Sequence, residues 1–365
     1  MTGLRLERLE ALSLSKRLRT GWQSPRLFHS FDLCLAVLLP AGISAGCRRP
    51  SVETGPLPEL GYLWQRDWTP AVVVAGCRKA EKKMDGVVVL GAEVGWSGGE
   101  AHVARATIVW EELRNQKVAL ALRVAPYDGL FVENDGAANA ITDEARRLLD
   151  EARAHRVEPT ELQLDFDCAQ RKLAGYGVWV KMLRKVAAPS PLVITALPAW
   201  LTEPEFPALA REAAGYVLQV HSVPTLAEGG RAVLCDTALA RKWVAAASRL
   251  GMSFSVSLPA YWCVAGYDAK GRLLGVAMDS VQPAWPPGTG MLEFSADADE
   301  IAALVSEWKR ERPVGMKELL WYRVPVVTDQ RNWRWPTLAA VMEGRKPGIA
   351  SMGFARVTTR STCRL

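Results

Sequence analysis

From Leu60 onward, short apolar runs rich in β-branched residues alternate with longer segments whose apolar residues recur at helical spacing. Several of the short runs are almost continuously apolar, which is typical of parallel strands buried on both faces. The pattern predicts eight strands, numbered here in chain order: Tyr62–Gln65, Val87–Val94, Val118–Val124, Leu162–Asp167, Leu192–Leu197, Tyr216–His221, Phe254–Tyr261 and Leu319–Pro325.

The segments between these strands predict amphipathic helices. The clearest four are Thr142–Arg153, Gln170–Val186, Asp236–Leu250 and Asp297–Trp308. Thr142 is the predicted N-cap of the first, and Gly251 is a stop signal after the third. The segment Ser97–Gln116 is expected to hold a helix or an irregular stretch, and Asp128–Ala140 is expected to be a loop.

Eight consecutive strand–helix units predict a single (β/α)8 barrel of the TIM type, over residues 60–347. The alternative is an open, doubly wound sheet, but no glycine-rich phosphate motif follows the first strand. Cys263–Met278 predicts a hairpin insertion after strand seven, with its turn at residues 268–271. Neither an internal repeat nor a flexible interdomain linker is evident, so we expect one domain.

The first 46 residues have the order of an export signal, which is a basic region, an apolar stretch and then small residues. The apolar stretch Phe31–Ile43 is shorter than the ~20 residues that a membrane-spanning helix needs. Ser44–Cys47 resembles the lipobox of bacterial lipoproteins, which predicts a lipidated Cys47 and export to the cell envelope. Plain secretion and a buried helix are the alternatives. Residues 47–59 are then a linker, and residues 348–365 are a tail.

Charge and cysteine usage exclude several function classes. The formal charge of +6 comes from 45 basic and 39 acidic residues that are evenly spread, so nucleic acid is not an expected partner. The cysteines form no CxxC pair and no Cys/His cluster with zinc-ligand spacing. We therefore expect neither a cofactor nor a metal, although the acidic residues of the barrel with His221 would be plausible metal ligands if they converged.

Polar side chains concentrate near the carboxyl ends of the predicted strands, where barrel enzymes build their sites. On strand four, Gln163, Asp165 and Asp167 share one face, and the apolar residues between them face the covering helices. The carboxylates should therefore point into the barrel. The same reasoning pairs Gln219 with His221 and Trp321 with Arg323. Further candidates at strand ends are Trp64, Glu93, Arg123 and Tyr261.

Asp165, Asp167 and Glu93 are the candidate catalytic groups. Adjacent carboxyl groups push their pKa values apart, which lets one act as an acid and the other as a base or nucleophile in glycoside hydrolysis. The alternatives are a site that only binds ligand, and an interior ion-pair network with Arg123 and Arg323.

Tryptophan is unusually frequent, with 14 residues against 8 phenylalanines. Several tryptophans, including Trp64, Trp200 and Trp321, fall at strand ends or in the following loops. Flat apolar faces with a polar edge suit stacking on sugar rings. Together they predict a cleft that binds an oligo- or polysaccharide, although each taken singly could instead belong to the core.

Five motifs resemble the bacterial DUF3142 family, a domain of unknown function: Tyr62–Trp68, Leu162–Cys168, Ile194–Leu201, Tyr216–His221 and Asn332–Leu338. The resemblance implies a glycoside-hydrolase-type barrel, often on exported proteins. Strand four also resembles the Asp-x-Asp-x-Glu strand of family 18 chitinase-like barrels, but Ala169 stands where the proton-donating Glu belongs. Either Glu93 donates the proton, or the protein binds glycans without cleaving them.

Three hypotheses follow from these observations. The protein is an envelope-anchored glycoside hydrolase that acts through the carboxylates of the barrel mouth, with Tyr261 and His221 orienting the substrate. It is a non-catalytic glycan-binding lipoprotein that uses the same cleft. Or it is an envelope scaffold whose barrel mouth contacts another protein.

Overall fold

A computed structural model describes residues 55–77, 84–223, 233–279 and 283–348. Its main feature is a sheet of eight parallel strands that closes on itself. These strands are β1 (Glu59–Leu63), β2 (Gly86–Ser97), β4 (Lys117–Val124), β5 (Leu162–Phe166), β6 (Leu192–Ala196), β7 (Tyr216–Gln219), β8 (Phe254–Pro259) and β12 (Met316–Tyr322).

The barrel closes because β1 is parallel to both β2 and β12, while each remaining strand pairs with its neighbours in chain order. The register places Arg123 of β4 opposite Asp165 of β5. The predicted (β/α)8 barrel is therefore confirmed, and all eight predicted strands are present with shifted ends.

Strand alternation divides the barrel residues into two layers. The outer layer packs against the helices and forms the main hydrophobic core, in which Leu162, Leu164 and Phe166 of β5 are buried. The inner layer has a smaller apolar set that includes Leu60, Val88, Ala119, Ala121, Val193, Val217 and Leu320. Small inner residues fit the narrow interior of an eight-stranded barrel, and they leave the polar side chains to one end.

Helices cover the barrel: α1 (Pro70–Cys77), α2 (Gly136–Ala154), α3 (Leu173–Ala187), α4 (Phe206–Glu212), α5 (Thr237–Arg249), α6 (Ala298–Arg310) and α7 (Trp335–Met342). The prediction of Thr142 as an N-cap is wrong, because α2 begins two turns earlier, within the predicted loop. Its cap is Asp135, whose carboxylate accepts from the Ala138 backbone N–H at 2.7 Å. Asp236 and Asp297 cap α5 and α6 in the same way.

Two segments add antiparallel strands to the barrel. The segment expected to be helical or irregular contains β3 (Glu100–Arg105), which is antiparallel to β2, and a short 3-10 helix at Trp110–Leu113. The predicted hairpin after β8 is confirmed as β9 (Trp262–Tyr267) and β10 (Leu273–Ala277). A third strand, β11 (Gly290–Ser295), pairs with β9 to complete a small antiparallel sheet. Its presence was not predicted.

The predicted signal segment, Cys47 and the C-terminal tail from residue 349 lie outside the described residues. Within the described ranges, Cys235 and Cys263 are buried free thiols, and Cys168 is also buried. Burial raises the pKa of Cys235 and of Cys263 to about 12, so both are neutral at physiological pH. None of the helices described is both long and apolar enough to cross a bilayer.

Candidate active site

A cavity opens at the carboxyl end of the barrel strands. Its volume is about 690 Å³ when the part open to solvent is included. Its lining comes from seven barrel strands and from the segments that follow them: Tyr62, Trp64, Arg123, Asp165, Asp167, Thr195, Gln219, His221, Ser257, Tyr261, Met278 and Tyr322.

An ion cluster lies at the base of this cavity. The Arg123 guanidinium donates a short hydrogen bond to Oδ2 of Asp165, and its Nη2 lies 3.9 Å from Oδ2 of Asp167. The other oxygen of Asp165 accepts from the Thr195 hydroxyl at 2.8 Å and from the Gln219 amide at 3.3 Å. Both oxygens of Asp165 are therefore occupied by donors from three neighbouring strands, which holds the carboxylate rigidly in place.

His221 follows β7 and contacts Oγ of Ser257 through Nε2 at 3.3 Å. Burial lowers the pKa of His221 to about 4, and the opposing effect of nearby Asp165 is smaller. The imidazole is therefore neutral at physiological pH. It can donate or accept a hydrogen bond, but it supplies no positive charge to the cavity.

Aromatic rings form one wall of the cavity around Tyr322. The ring centroids of Tyr62, Trp64, Tyr261 and His221 lie 5.8, 5.5, 5.6 and 5.9 Å from that of Tyr322, and the His221 ring is stacked on it. Burial raises the pKa of the Tyr62 and Tyr261 hydroxyls well above the usual value, so both phenols are protonated. The wall combines flat apolar faces with neutral polar edges.

A second, shallower pocket lies beside this cavity. Its volume is about 870 Å³ including open solvent, and it is lined by Gln65, Asp279, Arg323, Thr328, Asp329, Gln330 and Arg331. The two lie side by side because Trp64, Met278 and Tyr322 of the barrel cavity directly precede Gln65, Asp279 and Arg323 in the sequence.

The structure brings seven of the predicted site residues together in the barrel cavity. They are Trp64, Arg123, Asp165, Asp167, Gln219, His221 and Tyr261. Strand alternation located the acidic pair because the apolar face of β5 packs against the helices, which leaves the other face to the interior.

Four predicted site residues lie elsewhere. Glu93 is buried, forms an ion pair with Arg66 and does not line the cavity. Trp200 packs between Tyr176 and Phe206 in the outer core, where none of its surface is exposed.

Trp321 and Arg323 were predicted to share the inner face of strand eight. Trp321 instead faces outward into the helical layer and donates to the Glu59 carboxylate at 2.7 Å, while Arg323 lines the second pocket.

Five lining residues were missed, namely Tyr62, Thr195, Ser257, Met278 and Tyr322. Alternation back from Trp64 would have identified Tyr62. On β12, placing the large apolar Trp321 on the helix side would have placed Tyr322 inside. Met278 carried no sequence signal, because it reaches the cavity only through the insertion.

The described part of the chain contains no group of three or more His, Cys, Asp or Glu side chains that could hold a metal ion. Asp165 and Asp167 share a guanidinium instead of an open coordination site.

Comparison with known proteins gives one family and several structural likenesses. Three similar solved structures are a spore cortex-lytic enzyme, SleL, of Bacillus cereus, a chitinase of Bacteroides thetaiotaomicron and the GH18 chitinase ChiB of Flavobacterium johnsoniae. Their sequence identities are 11%, 12% and 9%, and their TM-scores are 0.49, 0.49 and 0.47. The matches cover 80%, 74% and 74% of this chain and 74%, 90% and 89% of the respective structures.

No curated protein matches the sequence. The model of the family described as a domain of unknown function, DUF3142, matches residues 122–327, more than half of the chain and most of the barrel. The chain therefore belongs to the DUF3142 family.

Proposed function

We propose that the barrel mouth binds a neutral ring of a carbohydrate, and that the protein acts as a glycan-binding protein. The observation that carries the proposal is the aromatic wall around Tyr322, which lies next to the polar groups of Gln219, His221 and Ser257 in one cavity. Sugar rings combine apolar C–H faces with equatorial hydroxyls, so they need stacking surfaces and neutral hydrogen-bonding groups together.

The charges of the lining favour a neutral ligand in this cavity. Arg123 is its one cation among the lining residues described, and it faces the two carboxylates of Asp165 and Asp167. His221 is neutral because burial lowers its pKa. A phosphate or carboxylate in this cavity would therefore meet more negative than positive charge, whereas hydroxyl groups would meet donors and acceptors.

The same geometry disfavours hydrolysis through a carboxyl pair. A glycosidase of that type needs one carboxyl to protonate the leaving oxygen. Both oxygens of Asp165 already accept hydrogen bonds, from Arg123, Thr195 and Gln219. Ala169 stands where the proton donor of family 18 belongs, and the substitute predicted from the sequence, Glu93, does not line the cavity.

Binding is tested by titrating purified residues 47–365 with a panel of neutral oligosaccharides and following tryptophan fluorescence and calorimetric heat. Trp64→Ala should weaken binding of the best oligosaccharide about tenfold or more, because a stacking face is lost. Trp243→Ala is the matched control, since Trp243 lies on the outer helix α5. Equal loss in both variants, or no binding by the wild type, contradicts the proposal.

Prolonged incubation separates binding from hydrolysis. We expect mass spectrometry to recover the bound oligosaccharide intact. Release of new reducing ends that is abolished by Asp167→Asn would instead establish the hydrolase.

We further propose that the protein is exported and held at the cell envelope by a lipid on Cys47. The support is the order of basic, apolar and small residues before this cysteine. In a bacterial host, the wild type should incorporate labelled palmitate and fractionate with membranes. Cys47→Ser should lose both properties, and membrane association that survives in this variant would contradict the proposal.

A further inference from the structure

The second pocket is lined by four charged side chains, and the charge of one of them, Arg323, is compensated by two aspartates. Nη2 of Arg323 lies 2.7 Å from a carboxylate oxygen of Asp329 and 3.0 Å from one of Asp279. The Arg323 guanidinium is buried between two carboxylates, so an incoming anion would have to displace one of them.

Both carboxylates also accept hydrogen bonds from the loop that precedes α7. Asp279 accepts from the backbone N–H groups of Gln330 and Arg331 at 2.7 and 2.9 Å. Asp329 accepts from the backbone of Val326 and the side chain of Asn332 at 2.9 and 3.0 Å. These donors offset the negative charge that the two aspartates would otherwise present to a ligand.

Arg331 is different from Arg323. Its guanidinium lies over the Trp262 ring, 5.3 Å from the centroid, and within the described ranges it forms no ion pair. Its Nε is buried without a hydrogen-bond partner in the described residues. A cation that lines a pocket with an unused, buried donor is suited to an acceptor with negative charge.

Gln65 supplies a second unused donor. Both its amide nitrogen and its amide oxygen are buried, and neither has a hydrogen-bond partner among the residues described. Gln65 directly follows Trp64, which faces the barrel cavity. A ligand that spans both pockets would therefore cross from the aromatic wall to Gln65 and Arg331.

We propose that the second pocket binds a carboxylate or phosphoryl group through Arg331 and Gln65. If the barrel mouth binds a sugar ring, as proposed above, the ligand is an acidic saccharide. Its neutral ring then occupies the barrel cavity, and its acidic group occupies the second pocket. The first part of the proposal concerns the anion alone and does not depend on sugar binding.

The test compares glucose, glucuronate, glucose 1-phosphate and inorganic phosphate by calorimetry at low ionic strength. Glucuronate or glucose 1-phosphate should bind at least tenfold more tightly than glucose, and added salt should reduce this preference. Arg331→Gln should abolish the preference and leave glucose binding unchanged. Arg249→Gln is the matched control, because it removes the same charge from the exposed end of α5.

Gln65→Leu keeps the charge and removes the amide, so it should weaken binding of the acidic ligands severalfold while the thermal melt confirms folding. Equal affinity of the wild type for glucose and for all three anions overturns the proposal, as does an acidic preference that survives in Arg331→Gln. Phosphate binding that depends on Arg331, together with no binding of glucose or of any neutral oligosaccharide in the panel, would support the anion site and reject the neutral carbohydrate site.

Discussion

At the scale of single residues, the barrel mouth is organised by one guanidinium between two carboxylates. Arg123 and Asp165 are neighbours across β4 and β5, and their side chains are largely withdrawn from solvent, with 16% and 4% exposed. Breaking a buried pair leaves a charge without compensation, which costs more than losing a pair at the surface. The cluster is therefore both a structural element and the floor of the site.

Arg123→Met should lower the free energy of unfolding by about 3–5 kcal/mol, because Asp165 would keep its buried position without its cation. Urea unfolding followed by circular dichroism measures this change. Arg146→Ala is the control, because the pair of Arg146 with Asp143 is exposed and should contribute about 0–1 kcal/mol. Equal effects of the two substitutions would show that the cluster does not stabilise the barrel.

His221 makes stability depend on pH. Because burial lowers its pKa from 6.5 to about 4, the unfolded chain binds a proton in this window that the folded chain does not. Stability should therefore fall as the pH falls from 6.5 towards 4. Between pH 7 and 4.5 the wild type should lose more stability than His221→Gln, by at most about 2.5 kcal/mol, which is the full effect of these two pKa values over this range.

Urea titrations at both pH values measure this difference, with His102→Gln as the control because His102 is exposed on β3. A loss of stability on acidification that is unchanged in His221→Gln would contradict the assignment of a neutral, buried imidazole.

At the scale of elements, the strands were predictable and the ends of some elements were not. Apolar runs locate strands because both faces of a barrel strand are buried. On β12 the consecutive apolar residues Leu319, Leu320 and Trp321 left the inward face ambiguous, and only packing against the helices resolved it. The start of α2 was misplaced because the alanine-rich turn after Asp135 has little apolar periodicity, whereas Thr142 resembles a cap.

The two candidate caps of α2 can be separated by mutation. Asp135→Ala should cost about 1 kcal/mol, because the first turn loses the acceptor of the Ala138 N–H. Thr142→Val should cost less, since the Thr142 hydroxyl donates only to carbonyls of its own helix at Ala138 and Asn139. Thermal unfolding of both variants provides the comparison. A larger loss for Thr142→Val would place the cap where the sequence suggested it.

At the scale of the whole molecule, closure of the barrel brings together residues that are far apart in the sequence. Trp64 and Tyr322 lie at opposite ends of the barrel segment, yet their rings are 5.5 Å apart because β1 pairs with β12. Strand alternation could predict the inward side chains of β5 and β7, although it placed Trp321 of β12 on the wrong face. It could not predict that Met278 of the insertion reaches the cavity, or that the loop before α7 builds a second pocket, because both depend on tertiary packing.

The central claim is that a sugar ring binds in the barrel mouth against the aromatic wall. A crystal structure of the protein with its tightest-binding oligosaccharide tests this directly. We predict a ring stacked on Trp64 or Tyr322, with its hydroxyls hydrogen-bonded to the polar lining at Gln219 or Asp167. An oligosaccharide bound on the insertion sheet or on the outer helices, with the barrel cavity filled by water alone, would contradict the account.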